Sequence, residues 1–207
     1  MMRYTGPRNR LARREGQDLG LKTTGSKSHA SLLRRLNIRP GQRAHARFRK
    51  STEYGQQLRE KQKIKHIYGL SESQLRRYFD RADRLVGNTA HLMVQQLEVR
   101  LDNVVYRLGL APTRAAARQL VNHGHVLVNN KKSSIASYQI KIGDTISFKK
   151  EKTAKIPYIS EILMKKDIEA PKWLDRKATA GKVVELPQLE DFRDAVNLQA
   201  VIEFYSR

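Results

Sequence analysis

The chain has 207 residues, of which 39% are hydrophobic and 29% charged, with a formal net charge of +21 and a pI near 10.5. This size allows one or two domains with a lean core, and the charge favours a polyanionic partner such as RNA, DNA or anionic lipid. The absence of cysteine excludes disulfides and thiolate metal sites, and no apolar run approaches the ~20 residues that a membrane span requires.

The first 50 residues carry more than half of the net charge. They contain 14 Lys or Arg residues against the two acids Glu15 and Asp18, a local net charge of +12. Glycine and proline recur along this segment, so we expect it to be largely irregular, with one short helix near 32–36. Such a segment cannot bury enough apolar surface to fold alone. We predict a tail that orders on phosphate; the alternative is a solvated charged tail.

Two helices are predicted next. The first covers about 56–68, ends at Gly69 and carries basic residues over most of its surface. Ser71 to Gln74 has the pattern of a capping box, and the apolar residues from Leu75 to Val86 recur at helical spacing. A break at residues 87–88 follows, after which Thr89 is a candidate N-cap of another helix.

A pair of helices with arginine-rich polar faces comes after that break. The first is expected to continue to residue 108, with Arg100 and Arg107 on a face separate from its apolar residues. Thr113 is the expected N-cap of the second helix. In this second helix Arg114 and Arg118 lie four residues apart, one above the other, and we expect both to be exposed.

A small antiparallel sheet is predicted to follow the helix pair. Gly124 is a plausible C′ residue, and apolar residues alternate over 126–128, 138–142 and 145–148, as in half-buried strands. Asn129-Asn130 suits a type I′ hairpin because asparagine tolerates a positive φ. Two more strands are expected at 183–186 and 198–205. These elements predict an α+β fold.

We find no constellation that predicts catalysis. Asp80 and Asp83 lie on an arginine-rich helix, where an ion-paired surface explains them. His123 and His125 flank a break between helix and strand, without the further ligands that a zinc site needs. Phosphate-binding loops and nucleophile elbows are absent from the sequence. We therefore expect no enzyme activity, no metal and no cofactor.

The basic helices indicate nucleic-acid binding more strongly than any residue pattern indicates catalysis. An exposed Arg or Lys face is often only a solvated surface, but here cations recur on nearly every helix and the tail has the same sign. Arginine offers a planar fork for phosphate and stacks on bases. Four tyrosines lie among these cations and could stack on RNA bases, although core packing is the preferred role for each one singly: Tyr54, Tyr68, Tyr78 and Tyr106.

Residues 97–129 resemble the RNA-binding module of the ribosomal protein S-four family, which also occurs in pseudouridine synthases and tyrosyl-tRNA synthetases. The resemblance extends over the whole chain and is closest to the bacterial or organellar small-subunit family in a zinc-free variant. It rests on the segments Arg3-Tyr4-Thr5-Gly6-Pro7, Pro40-Gly41-Gln42, Tyr54-Gly55, Gln57 to Lys63, Tyr68-Gly69 and Glu203 to Ser206.

The resemblance implies a primary binder of small-subunit (16S-type) rRNA that nucleates assembly of the subunit body. It further implies a contact with ribosomal protein S-five, a contribution to translational accuracy and a place along the channel through which mRNA enters. It implies a ribosome-bound protein of the cytoplasm, an organelle being the alternative, with no membrane contact and no homo-oligomer. Two alternative hypotheses are an RNA-modifying enzyme or synthetase that carries the module, and a free RNA chaperone or translational repressor.

By position, the resemblance implies three groups of RNA-facing residues. In the module they are Arg100, Arg114, Arg118, His123 and Lys131. In the N-terminal part they are Arg3, Tyr4, Arg13, Arg14, Gln42, Tyr54, Arg59, Lys61 and Lys63. A basic patch toward incoming mRNA comprises Arg43, Arg47, Arg49 and Lys50.

The family pattern also implies how the domains are arranged. A basic, mostly helical rRNA-binding domain comprises 1–90 plus a returning C-terminal tail, 175–207. The module, two helices packed on a small antiparallel sheet, is inserted as 91–174. Some members hold the N-terminal part with a cysteine zinc cluster; without cysteines, residues 20–38 are expected to be ordered by RNA instead.

Overall fold

In the computed structural model, the structure describes residues 4–42, 51–164, 170–192 and 196–207. The chain divides into two compact units, residues 1–93 with 194–207, and residues 94–193. The helices of the described residues are α1 (Arg8–Glu15), α2 (Lys27–Arg34), α3 (Glu53–Ile67), α4 (Glu72–Asp83), α5 (Thr89–Glu98), α6 (Leu101–Arg107), α7 (Arg114–Asn122), α8 (Glu151–Ala154), α9 (Pro157–Leu163) and α10 (Leu198–Tyr205). The strands are β1 (Val126–Val128), β2 (Lys131–Lys132), β3 (Thr145–Phe148), β4 (Leu174–Lys177) and β5 (Ala180–Val183).

The N-terminal segment is more regular than its composition predicted. It holds two helices, α1 and α2, rather than one short one. Gly16 ends α1 with φ 67°, and the Ser26 side chain caps α2 by accepting from the His29 backbone N–H. Ala12, Leu19 and Leu32 are buried beneath these helices. Local caps and a few apolar contacts therefore organise a segment that hydrophobicity alone did not mark as folded.

Helices α3 and α4 follow the predicted pattern with small differences. Helix α3 begins at Glu53, a few residues before the expected start, because Thr52 caps it. The capping box of Ser71 and Gln74 is confirmed. The apolar stripe of α4 is buried as far as Ala82, whereas Leu85 and Val86 lie beyond the helix end and are exposed.

The predicted strand at 198–205 is wrong, because this segment forms helix α10. Asn197 caps it by accepting from the Ala200 N–H. Residues 198–205 are rich in β-branched and aromatic residues, which favour a strand, but Leu198, Val201, Ile202 and Tyr205 recur at helical spacing, and this pattern prevails. Contacts between aromatic rings hold the helix in place. The ring centroid of Phe204 lies 5.6 Å from that of Tyr54, and Tyr205 stacks on Phe79 with centroids 5.1 Å apart.

In the second unit, the helix expected to continue to residue 108 is interrupted. Arg100 is extended, with φ −66° and ψ 138°, and it forms an isolated bridge with Gln139. The backbone N–H of Leu101 donates to the Tyr138 carbonyl at 2.8 Å. The strand predicted at 138–142 is therefore reduced to this single bridge. The extended residue Arg100 separates α5 from α6.

The sheet is antiparallel throughout, in the order β2-β1-β3-β5-β4. The predicted hairpin is confirmed, since Asn129 and Asn130 have φ of 50° and 63°. Strand β5 ends at Val183, so it shares only this residue with the strand expected at 183–186. Because β3 pairs with β5 and β5 with β4, the sheet of this unit includes residues on both sides of the boundary proposed at 174/175.

The core of the second unit lies between the sheet and helices α6, α7 and α9. The largest fully buried side chain is Trp173. The α+β fold class is confirmed. Among the described residues, no helix is both long and apolar enough to span a bilayer. The largest contributors to this core are Leu101, Leu108, Leu110, Leu120, Ile140, Ile146, Ile159 and Trp173.

Candidate nucleic-acid interface

Four arginines of the module, Arg100, Arg107, Arg114 and Arg118, form an arginine network around two carboxylates. Glu98, at the end of α5, is the first of these carboxylates and holds one half of the network. Arg107 donates to both of its carboxylate oxygens, from Nε at 2.8 Å and from Nη2 at 2.9 Å. Asn103 Nδ2 donates to Oε2 of the same carboxylate at 2.9 Å. The guanidinium of Arg114 lies 3.9 Å from Oε1. One carboxylate thus fixes groups from both α6 and α7.

Asp102, in the first turn of α6, holds the other half. Arg100 donates to it from Nε at 3.1 Å and from Nη2 at 2.9 Å. Arg118 lies 3.8 Å from the same carboxylate. Within the Glu98 half, Arg114 Nε also donates to Asn103 Oδ1 at 2.8 Å, and its guanidinium lies 4.7 Å from the Tyr106 ring centroid.

The expected exposure of Arg114 and Arg118 is wrong. Arg114 is only 8% exposed, Arg100 only 1%, and 11% of the Arg118 side chain is accessible. These arginines point toward the two acids between α6 and α7 instead of outward. The network combines four guanidiniums with two carboxylates, a surplus of two positive charges, so it forms a fixed cationic cluster of which only a small part is accessible to solvent.

The two predicted RNA-facing residues of the module that are exposed lie at the end of α7 and at the start of β2. His123 and Lys131 are exposed, and the His123 and His125 rings lie 6.2 Å apart. Gly124 has φ 70°, and a Cβ there would clash with the Lys132 side chain. Glycine therefore lets Lys132 cross the helix end, which brings two histidines and two lysines to one edge of the module.

Four of the residues predicted to face RNA lie before α3, and they differ from one another in their exposure to solvent. Tyr4, Arg14 and Gln42 are exposed. Arg13 is half-buried and donates to the carbonyls of Ile38 at 2.8 Å and residue 39 at 3.2 Å. Arg13 therefore fastens the chain after α2, which is a structural task in addition to any contact with RNA.

The basic residues predicted on α3 are mostly ion-paired. Arg59 contacts Glu15 at 3.2 Å, and Lys63 contacts Glu60 at 2.7 Å. Tyr54, at the start of the helix, is 52% exposed. These pairs leave α3 less cationic than its sequence alone indicates.

Lys61 is buried, with only 5% of its surface accessible. Its Nζ donates to Glu72 Oε1 at 2.8 Å and lies 4.3 Å from the Phe204 ring centroid. Burial would raise the pKa of Glu72, but the hydrogen bonds from Lys61 and Tyr205 outweigh it and lower that pKa below its ordinary value. The prediction that Lys61 faces RNA conflicts with this burial beneath α10.

Five predicted residues lie outside the described part of the chain: Arg3, Arg43, Arg47, Arg49 and Lys50.

Sequence reasoning missed the acids at the centre of the module. Glu98 and Asp102 stand in the sequence close to Arg100 and Arg107, and acids among arginines indicate ion pairs. The net charge of +21 does not reveal such local pairs. Within the described ranges, no group of three His, Asp or Glu side chains is placed to hold a metal ion.

Comparison with known families and proteins matches this architecture along the chain. Residues 3–98 match the family described as ribosomal protein S4/S9 N-terminal domain, and residues 99–146 match the S4 domain. The chain is 47% identical to the small ribosomal subunit protein uS4 of Trichlorobacter lovleyi and 48% identical to that of Aquifex aeolicus. It is 44% identical to uS4 of Natranaerobius thermophilus. Each of these three matches covers 100% of both chains. These full-length matches show that the chain belongs to the family of the small ribosomal subunit protein uS4.

Proposed function

We propose that this chain, a structural and non-enzymatic constituent of the small ribosomal subunit by its family, binds small-subunit rRNA directly through a basic surface on each of its two units. In the module the surface comprises the accessible edges of Arg114 and Arg118 together with His123 and Lys131. In the N-terminal unit it comprises Tyr4, Arg14, Gln42 and Tyr54, with Arg59 and Lys63 contributing beside their acidic partners.

The arginine network of the module is the observation that carries this proposal. Four guanidiniums share two carboxylates, so the cluster retains positive charge while its side chains are held in place. A prearranged cationic surface binds phosphate without the entropy cost of ordering long side chains. Because contacts with phosphate carry no base information, we expect the shape of a folded rRNA junction to supply specificity.

Buried Arg100 and Lys61 take supporting roles in this proposal. Arg100 holds Asp102, which in turn faces Arg118. Lys61 holds Glu72 under α10. Both act through the groups that they position and not through contact with RNA.

The finer roles implied by the resemblance are part of the same proposal. They are nucleation of the subunit body, a contact with ribosomal protein S-five, an effect on translational accuracy and contact with entering mRNA. The positive charge of residues 43–50, which include Arg43, Arg47, Arg49 and Lys50, supports the last role, since mRNA is a polyanion.

Two assays test the proposal together. Full-length chain is mixed with deproteinised small-subunit rRNA in the absence of other proteins, and large-subunit rRNA serves as the control. We expect selective binding to the small-subunit rRNA. In cells, we expect the chain to sediment with small subunits after a high-salt wash. A chain that binds both RNAs equally and stays off mature subunits would instead be a free RNA chaperone or repressor.

A further inference from the structure

Helix α10 is too short to be stable by itself. It has eight residues, Leu198–Tyr205, whereas isolated helices shorter than about 12–15 residues are marginal in water. Its N-cap, Asn197, satisfies one backbone N–H and does not change this balance. The segment is therefore helical because it is docked on other elements, and its folding and its docking form one event.

Both ends of α10 are attached to α3. At the start, the backbone N–H of Asn197 donates to Glu60 Oε2 at 2.9 Å. Just beyond the other end, Arg207 Nη2 lies 3.5 Å from Glu53 Oε1. The partners on α3 go back from residue 60 to residue 53 as α10 advances, so the two helices are antiparallel over about two turns of α3.

Two polar side chains of α3 are buried and have partners on α10. Gln57 is only 3% exposed, and its Nε2 donates to Glu203 Oε2 at 3.0 Å. The buried Lys61 places its Nζ 4.3 Å from the centroid of the Phe204 ring. A buried polar group that loses a partner keeps the cost of its desolvation. This face of α3 is therefore complete only with α10 in place.

Helix α10 also reaches α4. Val201, in the middle of α10, is fully buried. The Tyr205 ring stacks on Phe79 of α4 at 5.1 Å, and its hydroxyl donates to Glu72 at 2.8 Å. One short helix thus contacts both α3 and α4, so that its docking contributes to the stability of all three.

The core of the second unit is built without these elements. Its buried residues run from Leu101 to Val183, and within the described part of the chain none of them belongs to α3, α4 or α10. Cooperative openings in native proteins often coincide with compact units of this kind. The two units can therefore open in separate steps.

We propose that α10 is a latch of the first unit: it opens and closes together with α3 and α4 as one cooperative unit while the second unit stays folded. Because the first unit comprises residues 1–93 and 194–207, it closes only after the whole second unit has been synthesised. A chain that stops before residue 197 would fold its second unit and leave α3 and α4 unlatched. This inference concerns the free chain and does not depend on RNA binding.

Removal of the N-cap tests the coupling without changing a side-chain contact of α3 or α4. The side chain of Asn197 accepts from the Ala200 backbone N–H at 3.2 Å, a bond inside α10. Amide hydrogen exchange is compared between wild type and Asn197→Ala, both full-length and free of RNA. Loss of a cap shifts an opening equilibrium about fivefold. We expect the most protected amides of α10, α3 and α4 to exchange about fivefold faster, by one common factor.

The matched control removes a cap from the second unit. Thr113 accepts from the Ala116 backbone N–H at 3.2 Å and caps α7. Thr113→Ala should accelerate exchange in α6 and α7 and leave α3, α4 and α10 unchanged. In Asn197→Ala, acceleration confined to α10 would overturn the latch, because the helix would then fray alone. Equal acceleration in both units would also overturn it, because the chain would then open as a whole.

A second variant weakens the packing of α10 instead of its cap. Val201→Ala removes two buried methyl groups and should accelerate exchange by about tenfold or more. The factor should again be common to α10, α3 and α4. A larger factor in α10 than in α3 and α4 would contradict the proposal. Because these measurements contain no RNA, their failure leaves the proposed function standing, and a failure of rRNA binding leaves the latch standing.

Discussion

Single residues show how side-chain chemistry sets the local backbone of the module. Asn129 and Asn130 both have positive φ in the β1–β2 turn, yet only Asn129 is tied to its surroundings. Its Oδ1 accepts from the Thr145 backbone N–H at 2.9 Å, and its Nδ2 donates to Asp144 at 2.7 Å. The two asparagines therefore have different roles despite their similar conformation.

This difference gives a paired prediction. Asn130→Gly should be neutral or up to about 1 kcal/mol stabilising, because glycine meets no Cβ clash at positive φ. Asn129→Gly should cost about 1–2 kcal/mol, because it loses hydrogen bonds to two neighbours. Urea unfolding of both variants measures the effect. Equal behaviour of the two variants would contradict this division of roles.

His66 provides a prediction about pH. Partial burial, together with the nearby positive charges of Lys65 and Arg14, lowers its pKa from 6.5 to about 4. The unfolded chain therefore binds a proton between pH 6.5 and 4 that the folded chain does not bind. Stability should fall as the pH drops through this window.

Replacement of His66 by Gln isolates this contribution. The free energy of unfolding of wild type and His66→Gln is compared from pH 7 to pH 4. We expect the difference between the two proteins to change in favour of the variant as the pH falls below 6.5. Parallel curves would show that burial does not keep His66 neutral.

At the scale of elements, the α6–α7 pair is held by buried ions together with apolar packing. Asp102 of α6 lies 3.8 Å from Arg118 of α7 and also binds Arg100, which is almost fully buried. Removing one partner of a buried ion pair leaves an uncompensated charge, which costs about 3–5 kcal/mol. The arginine-rich face that first marked this module as an RNA binder is therefore also part of its structure.

We predict that Asp102→Asn destabilises the module by about 3–5 kcal/mol. Asp175→Asn is the control, because Asp175 is exposed and lies 3.9 Å from Lys177; it should stay within about 0.5 kcal/mol of wild type. Thermal unfolding measures both. Similar stabilities of the two variants would mean that the network does not support the helix pair.

Helix α10 depends on a second polar cluster. Tyr205 donates to Glu72 at 2.8 Å, and Lys61 lies between Glu72 and the Phe204 ring. Because the pKa of Glu72 is lowered below 4.5, its contribution to stability is present above pH 4.5 and is lost as the pH falls through the lowered pKa.

Tyr205→Phe tests this cluster. The variant lacks one hydrogen bond to a carboxylate and should lose about 1–2 kcal/mol at pH 7, with a smaller further loss on acidification than wild type shows. Tyr54→Phe, at an exposed ring against Phe204, should change little. The free energies of unfolding of wild type and of both variants are measured at pH 7 and at pH 3.5. An acid-induced loss identical to that of wild type would contradict the coupling.

Across the whole molecule, local rules predicted some elements well. The capping box at Ser71, the cap at Thr113 and the Asn129-Asn130 turn follow from short-range chemistry that the sequence displays. The prediction of a strand at 198–205 is wrong because β-branched and aromatic content favours a strand, whereas ring contacts of α10 with α3 and α4 stabilise the helix.

The candidate site was predicted less completely than the fold. Helical spacing identified Arg114 and Arg118 but could not show which way they point. That direction depends on Glu98 and Asp102 across the helix pair, which is tertiary information.

We propose that this basic chain binds folded small-subunit rRNA mainly through phosphate contacts. The most direct test of this proposal is the affinity of the full-length chain for deproteinised small-subunit rRNA, measured over a fourfold range of salt. With about ten phosphates neutralised, affinity should fall by several decades over that range. A log–log slope near zero would contradict the claim, because a +21 chain that binds RNA without releasing counterions does not use its charge for binding.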